Sequence, residues 1–578
     1  MQLSEHANTL LGTVDDLKRL NSEVMILYEG DNNKLAILND QATLLLARLK
    51  KGGQHSDLDD AIAFSRQALE LCPPSHSDRH TSLNNLANAL QTRYEQGGQQ
   101  HDLDESISLH RQALELFPSL HPNWPISFNN LATALQTRFD QQGQQQDLDE
   151  SISLHRQALE LFLLPHPNRP ISLDNLAKVL VIRYEQGGQQ CDLDEGISLH
   201  RQALELQPSH HPDRFTSLHN LATALQSQYR QRGQQQDLDE SISLHRQAFE
   251  LQSSLHPDQS MFLSNFASAL QTQYEQKGQQ HNLDESISLH KQALELRPLP
   301  HPGRCISLNN LGNALQTRFE QKGQQHDLNE SISLYRQALK LHPPSHSNGS
   351  LSLNSLATAL QTRFEQGGQQ HDIDESISLH RQAFELHPPS HYKRPMLLNN
   401  LAAALQTRYN QGGKQHDLDE CIFFHRQAFE HHPPPHSPPP HSTQSIALNN
   451  FANALLARYK QGGQQHDLDE SISLHRQALE LYPSSHLNRS ASLNNLAIAL
   501  LTRYEIGDQQ QDLDESISLH RQALELRPLP HSGRCMSLNN LANALHTRCE
   551  QGGPQHDLDE TFSLHRQSLA LYPSPHPD

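Results

Sequence analysis

Apolar residues recur along this chain at helical spacing, and in the same order many times over. In residues 83–118 (LNNLANALQTRYEQGGQQHDLDESISLHRQALELFP), Leu83, Leu86, Ala87, Leu90 and Tyr94 fall at i, i+3, i+4, i+7 and i+11 with Asn, Gln, Thr and Arg between them. That spacing predicts an amphipathic first helix. Gly98 is expected to stop it as a left-handed C-cap. Asp102, with Glu105 three residues on, reads as the N-cap and capping box of a second helix. The stripe of that helix is Leu103, Ile107, His110, Ala113, Leu114 and Phe117, and Pro118 closes it. The two helices are expected to run antiparallel across a short polar loop.

The first residue of the DLDE segment falls at Asp57, Asp102, Asp147, Asp192, Asp237, Asn282, Asp327, Asp372, Asp417, Asp467, Asp512 and Asp557. Every step is 45 residues except the 50 between Asp417 and Asp467. A period of about 20 to 50 residues marks an array whose units bury their apolar faces against one another. The expected fold class is therefore all-α, a solenoid of about twelve antiparallel helix pairs over residues 37–578. Residues 1–36 form a divergent N-terminal segment, in which Asp16 to Leu27 reads as a worn second helix acting as a cap. The extra five residues of the long step fall in HHPPPHSPPPHS, a proline-rich linker insertion at 433–440. The chain ends at Asp578, where earlier units go on to a new first helix. The last pair is therefore expected to lack a cap and to offer a face for self-association.

The unit resembles the tetratricopeptide repeat, whose pattern is W-x2-L-G-x2-Y, then A-x3-F and a closing Pro over about 34 residues. Leu83, Leu86, Ala87 and Leu90 keep the first spacing, Ser106 and His110 stand at the A-x3-F positions, and Pro118 closes. The resemblance covers roughly residues 38 to 573 and implies a right-handed superhelix. The string from His211 to Arg214 with Leu218 and Leu221 is similar to kinesin-light-chain-type repeats. The longer unit is similar to arrays in large fungal proteins, which often precede a caspase-like CHAT domain. The implied function is a protein-interaction scaffold that holds extended peptides or partner proteins in the concave first-helix groove. The alternative is the sensor arm of a larger signalling protein whose effector, such as a CHAT-type protease, is not on this chain.

Composition sharpens this picture at a few points. A content of 35% hydrophobic residues and a mean hydropathy of −0.70 suit polar loops and exposed helix faces. Disorder would lack the periodicity. A formal charge of −20 with no Lys/Arg run argues against nucleic acid as a partner. The N-terminus has no basic and apolar leader, and no stretch approaches the length of a membrane span, so a cytoplasmic protein with no membrane partner is expected. The six cysteines occupy unrelated points with no CxxC pair, which predicts neither a disulfide framework nor a zinc site.

Histidine is abundant, with 40 copies concentrated at the positions of His101, His110 and His121. Tyr335 and Ser65 replace His110 in two units, which fits packing or a solvated surface better than metal ligation. No metal and no cofactor are expected. Treated as surface charge, full protonation would carry the formal charge from −20 to +20. Asp104 and Glu105 are explained by capping, Gly97-Gly98 lacks the spacing and Lys of a P-loop, and no unit stands out as a catalytic centre. The chain is read as no enzyme.

The candidate functional residues are an asparagine ladder on the first helices: Asn85, Asn130, Asn175, Asn220, Asn265, Asn310, Asn400, Asn450, Asn495 and Asn540, with Asp40 and Ser355 as the exceptions. The residue before each drifts more, to Asp174, His219 and Ser264. The resemblance to kinesin-light-chain-type repeats implies that the ladder lines the groove and hydrogen-bonds a peptide backbone. A carboxamide both donates and accepts, so it pairs with a peptide group in either direction.

Overall fold

Apolar residues at helical spacing give each repeat two amphipathic stretches, and helix is what these stretches adopt among the described residues. The computed structural model describes residues 31–571 except 51–54, 117–123, 163–165, 210, 212, 252–258, 300, 302, 342–346, 388–393, 431–440, 482–488, 508 and 528–532. The segment ahead of residue 31, Pro118, His121, the insertion at 433–440 and the chain end past Leu571 all lie outside the described residues. Among the described residues there are 24 α-helices and no strand, and consecutive helices pack in pairs.

The helices fall into two units by contact, residues 1–304 and 305–578. In the first unit the first helices are α1 Asp31–Lys50, α3 Arg79–Glu95, α5 Trp124–Gln142, α7 Arg169–Glu185, α9 Arg214–Arg232 and α11 Gln259–Lys277. Their partners are α2 His55–Glu70, α4 Gln100–Glu115, α6 Gln145–Leu161, α8 Gln190–Glu205, α10 Gln235–Leu251 and α12 Gln280–Glu295. In the second unit the first helices are α13 Arg304–Lys322, α15 Ser347–Glu365, α17 Arg394–Asn410, α19 His441–Lys460, α21 Arg489–Gly507 and α23 Arg534–Glu550. Their partners are α14 Gln325–Leu341, α16 Gln370–Glu385, α18 Gln415–Glu430, α20 Gln465–Leu481, α22 Gln510–Glu525 and α24 Gln555–Leu571.

The described residues of the predicted stripes lie in the core, and most of its clusters straddle a repeat boundary. Leu103 and Ile107 of α4 pack with Leu131, Ala132, Ala134 and Leu135 of α5 and Leu154 of α6. Burying each such Leu or Ile contributes on the order of 1.5 to 3 kcal/mol, so most of the stability of a repeat is shared with its neighbours. Within a pair, Ser106 Oγ donates to the Ala87 carbonyl oxygen at 2.8 Å, and Ser151, Ser241, Ser286, Ser376, Ser471 and Ser516 repeat the bond at the same distance. Serine in place of the alanine of the family pattern thus fastens the two helices together.

Two predicted helix boundaries are corrected. The left-handed residue is Gly97, at φ 102°, not Gly98. A Cβ on Gly98 would lie 2.7 Å from the Arg93 carbonyl oxygen and 2.8 Å from Asp102 Oδ2, so glycine there answers crowding instead. Only where a single glycine stands, as at Gly143 or Gly233 (φ 67° and 65°), does the 98-type position turn left-handed; helices α5 and α9 are then two residues longer than α3. The second helix begins at Gln100 with Gln99 as its N-cap residue, so Asp102 is not the cap. Its carboxylate is clasped by Arg93, with Nε at 3.0 Å from Oδ2 and Nη2 at 2.6 Å from Oδ1. Arg93 holds the Asp102 carboxyl below the usual carboxylate range. The capping box that does form joins Gln369 and Asp372, three residues upstream of the predicted one. Glu105 reaches back instead to Arg66 of the previous repeat at 3.6 Å.

Candidate functional site

The ten ladder asparagines all lie on first helices, and all are half-buried. Within each unit, consecutive first helices pack directly against one another, α1 on α3 through α9 on α11 and α15 on α17 through α21 on α23. Consecutive second helices are bridged by long side chains, as in Arg111–Glu150 at 2.7 Å and Arg476–Glu515 at 2.8 Å. The ladder therefore occupies the closely spaced row. Three of its members are tied internally. Asn400 Nδ2 donates to Asn354 Oδ1 at 2.8 Å, Asn85 Nδ2 lies 3.3 Å from Asn39 Oδ1, and Asn265 Nδ2 lies 3.5 Å from His219 Nε2. Asn130, Asn175, Asn220, Asn310, Asn450, Asn495 and Asn540 carry no side-chain hydrogen bond among the described residues.

The position just before the ladder, which sequence reading passed over as drifting, is the structurally engaged one. Asn84 Nδ2 donates to Ser127 Oγ on the next repeat at 2.9 Å, and Asn84 Oδ1 accepts from His110 Nδ1 at 2.9 Å. Asn129, His155 and Ser172 repeat the arrangement, as do Asn449, His475 and Ser492, and Asn494, His520 and Ser537. Because the amide nitrogen is committed to serine, the amide oxygen must accept, which fixes each imidazole as the Nδ1–H tautomer. Nε2 is left buried with no partner. Desolvation pushes His110, His155 and His475 down to about 3 and His520 to about 4. These histidines are neutral core residues, and the expectation of surface charge is corrected for this position.

The drift follows the chemistry of the relay. With Asp174 in place of asparagine, both carboxylate oxygens accept, from His200 Nδ1 at 2.7 Å and from the Ser217 hydroxyl. His219 stands beside His245, with ring centroids 5.6 Å apart. Tyr335, the replacement for histidine in the seventh repeat, is fully buried and is matched by Gly312, where a Cβ would lie 2.6 Å from the ring. Every other described unit carries alanine at that glycine, from Ala42 to Ala542. Lining up the units and noting which substitutions occur together is the signal that would have exposed these pairs.

Among the described residues, one group brings metal-ligand atoms together: His326, Asp327 and Glu330, within 4.8 Å of one another. Asp327 is already held by Arg318 at 2.7 Å, and His326 is exposed. The arrangement is an ion pair with a surface histidine beside it, and it does not fit a converging zinc shell. Asp104 and Glu105 likewise enter ion pairs, Asp104 facing Arg138 at 3.9 Å. No helix among the described residues is long and apolar enough to cross a membrane.

A family model described as the tetratricopeptide repeat matches residues 81–121, 215–258 and 489–528. No curated protein matches the sequence. Among solved structures, the human IFIT1 dimer with m7Gppp-AAAA is similar at 14% identity and a TM-score of 0.43, over 92% of this chain and 94% of that one. A monomeric mutant of IFIT1 with Gppp-AAAA gives 14% identity and a TM-score of 0.44, over 90% of this chain and 96% of that one. The matched stretches take in the pairs α3–α4, α9–α10 and α21–α22, and the copies between them repeat the same spacing, helix pairing and Ser-to-carbonyl fastening. The matched stretches are tetratricopeptide repeats, and the described chain is an all-α array of helix pairs built on the same pattern.

Proposed function

We propose that this chain is a protein-interaction scaffold that holds an extended peptide segment of a partner along its first helices, with the ladder asparagines as the backbone contacts. The supporting observation is the set of half-buried carboxamides recurring once per repeat on the closely spaced row, seven of them without an internal hydrogen bond. Packed helices lie about 8 to 10 Å apart, and an extended peptide advances about 3.3 Å per residue. One carboxamide would therefore meet roughly every third residue of the peptide. Asn88 varies along the array, to Lys178 and Ile498, and this variation supplies side-chain selectivity, whereas Gln91, Val181 and Leu456 at the other varying position are buried.

The test is a triple substitution, Asn130→Ala, Asn175→Ala and Asn220→Ala, assayed against peptides selected on the intact chain from a displayed random library. Each lost hydrogen bond is worth roughly 0.5 to 1.5 kcal/mol, so binding should weaken about 10- to 1,000-fold. Thermal unfolding should be unchanged, since none of the three is tied internally. Selected peptides that bind the triple variant as well as the parent would refute the groove.

A further inference from the structure

The second-helix side carries a pocket in which one repeat departs from its siblings. Between α14 and α15 lies a cavity of about 390 Å³ lined by Asn329, Arg336, Lys340 and Arg363 among others. Its counterpart in the first unit, about 440 Å³, has Asp194, Arg201, Glu205 and Gln228 at the same four positions, together with Arg232. Both volumes fall within the roughly 300 to 1,000 Å³ of small-ligand pockets. In the counterpart the formal charges of the lining residues cancel, whereas the α14–α15 pocket is lined by three cations and no acid.

The difference comes from two substitutions made once each. Asn329 stands where all eleven other units have aspartate, from Asp59 to Asp559. Lys340 stands where ten others have glutamate, from Glu70 to Glu525. The first change removes an acceptor that arginines at the 363-type position use elsewhere. Arg408 Nη1 reaches Asp374 at 2.9 Å, and Arg548 Nη1 reaches Asp514 at 3.4 Å. Arg363 keeps its clasp to Asp372 through Nε and Nη2, which leaves Nη1 without its carboxylate. Arg336 spends Nη2 on Glu375 at 2.9 Å. Lys340 is exposed and has no ion-pair partner among the described residues. Nothing in the packing requires either substitution, because the sibling repeats build the same helix pair with the acids in place.

We propose that this pocket binds a phosphate group, which accepts from the lysine ammonium and from the open Nη1 of Arg363 while Arg336 flanks it. Arginine suits such a role because its fork of donors matches phosphate oxygens, and lysine adds a mobile point charge. The site is distinct from the first-helix groove and stands whether or not that groove binds peptide.

The experiment is calorimetric titration of the full chain at low ionic strength, where a half-exposed site is least screened. Sodium pyrophosphate is the first probe, and a phosphoserine peptide with its unphosphorylated form is the second. One site per chain is expected. Asn329→Asp with Lys340→Glu restores the residues of the sibling repeats, so the fold is retained, and affinity should fall at least about tenfold. The converse set, Asp194→Asn, Glu205→Lys and Gln228→Arg, should raise the stoichiometry from one to two. Tighter binding of pyrophosphate assigns the site to a free phosphate compound, and tighter binding of the phosphopeptide assigns it to a modified partner. Failure of both probes to bind, or an affinity that the Asn329→Asp, Lys340→Glu variant leaves unchanged, overturns the proposal.

Discussion

At the scale of single residues, the buried histidines turn a repeating packing position into a pH dependence of stability. An unfolded histidine titrates near 6.5, while burial holds His110, His155, His425 and His475 at about 3 and His290, His380 and His520 at about 4. Between those values the unfolded chain takes up protons that the folded chain refuses. Stability is therefore complete above about pH 6.5 and falls steadily as pH drops toward the folded values, by roughly 2 kcal/mol per buried histidine at pH 5. The clasped aspartates Asp102, Asp327, Asp372 and Asp557, held below their ordinary range, begin to cost stability only below about pH 4. The window between isolates the imidazoles. Urea midpoints should be level from pH 8 to 7 and drop sharply by pH 5. Ala87→Gly with His110→Tyr, copying the Gly312 and Tyr335 pair, should reduce that drop; an equal drop would show that His110 already titrates normally. These relays were hard to see in the sequence, because Asn84 drifts to Asp174, His219 and Ser264 while its neighbour Asn85 barely drifts. Constancy drew attention to the ladder position, whereas the one engaged in the relay changes together with its partners.

At the scale of the helix pair, the joint between first and second helix is set by a charge clasp and by the number of glycines. The amphipathic stripes, the pairing and the period were legible because each follows from apolar spacing alone. The boundaries were not, because DLDE and GG each satisfy two geometries by sequence, and only the Arg93–Asp102 contact distinguishes them. The arginine lies nine residues upstream on another helix, out of reach of a local capping rule. Two repeats show what the clasp requires. In the sixth both partners change, and Asn282 Nδ2 donates to Gln273 Oε1 at 2.8 Å. In the fifth only one changes. Gln228 faces Asp237, which is buried with Oδ2 unpartnered, and desolvation raises its pKa. Gln228→Arg should supply the missing cation and add on the order of 1 to 3 kcal/mol at pH 7, as hydrogen bonds to charged groups do. The added clasp would depress the Asp237 pKa, so the gain belongs to pH values above about 4 and vanishes as the carboxylate protonates. Chemical denaturation at pH 7 of Gln228→Arg alone and together with Asp237→Asn checks the cause, and a gain that persists beside Asp237→Asn would rule out the clasp as its source.

At the scale of the whole molecule, the period itself is the organising quantity, because the same contacts recur at equivalent positions from repeat to repeat and most of the core clusters join adjacent repeats. Leu58 and Ile62 of α2 meet Leu83 and Leu86 of α3 just as Leu513 and Ile517 of α22 meet Leu538 and Leu541 of α23. Removing one full period should therefore leave a chain whose new junction is already represented elsewhere. Deletion of residues 128–172 joins Ser127 to Leu173, the equivalent of Phe128. Ser127 still receives the Asn84 amide, and Asp174 keeps both His200 and Ser217 on its far side. Neighbour-dominated stability predicts that this variant folds and unfolds cooperatively, with helical signal reduced by one pair out of twelve. Deleting a stretch that is not a multiple of the period, such as residues 128–150, cuts through the α5–α6 pair and strands Leu154 and His155 without their partners. That variant should lose far more than its share of helix. Circular dichroism and urea unfolding of the two deletions decide the matter. If both retain cooperative unfolding, register between repeats is not what holds the array together. The full-period deletion also leaves the seventh repeat intact, so pyrophosphate should bind it as tightly as it binds the parent. A full-period deletion that removes Asn329 and Lys340 should abolish that binding while keeping the fold, which separates the repeating architecture from the one repeat given a different charge.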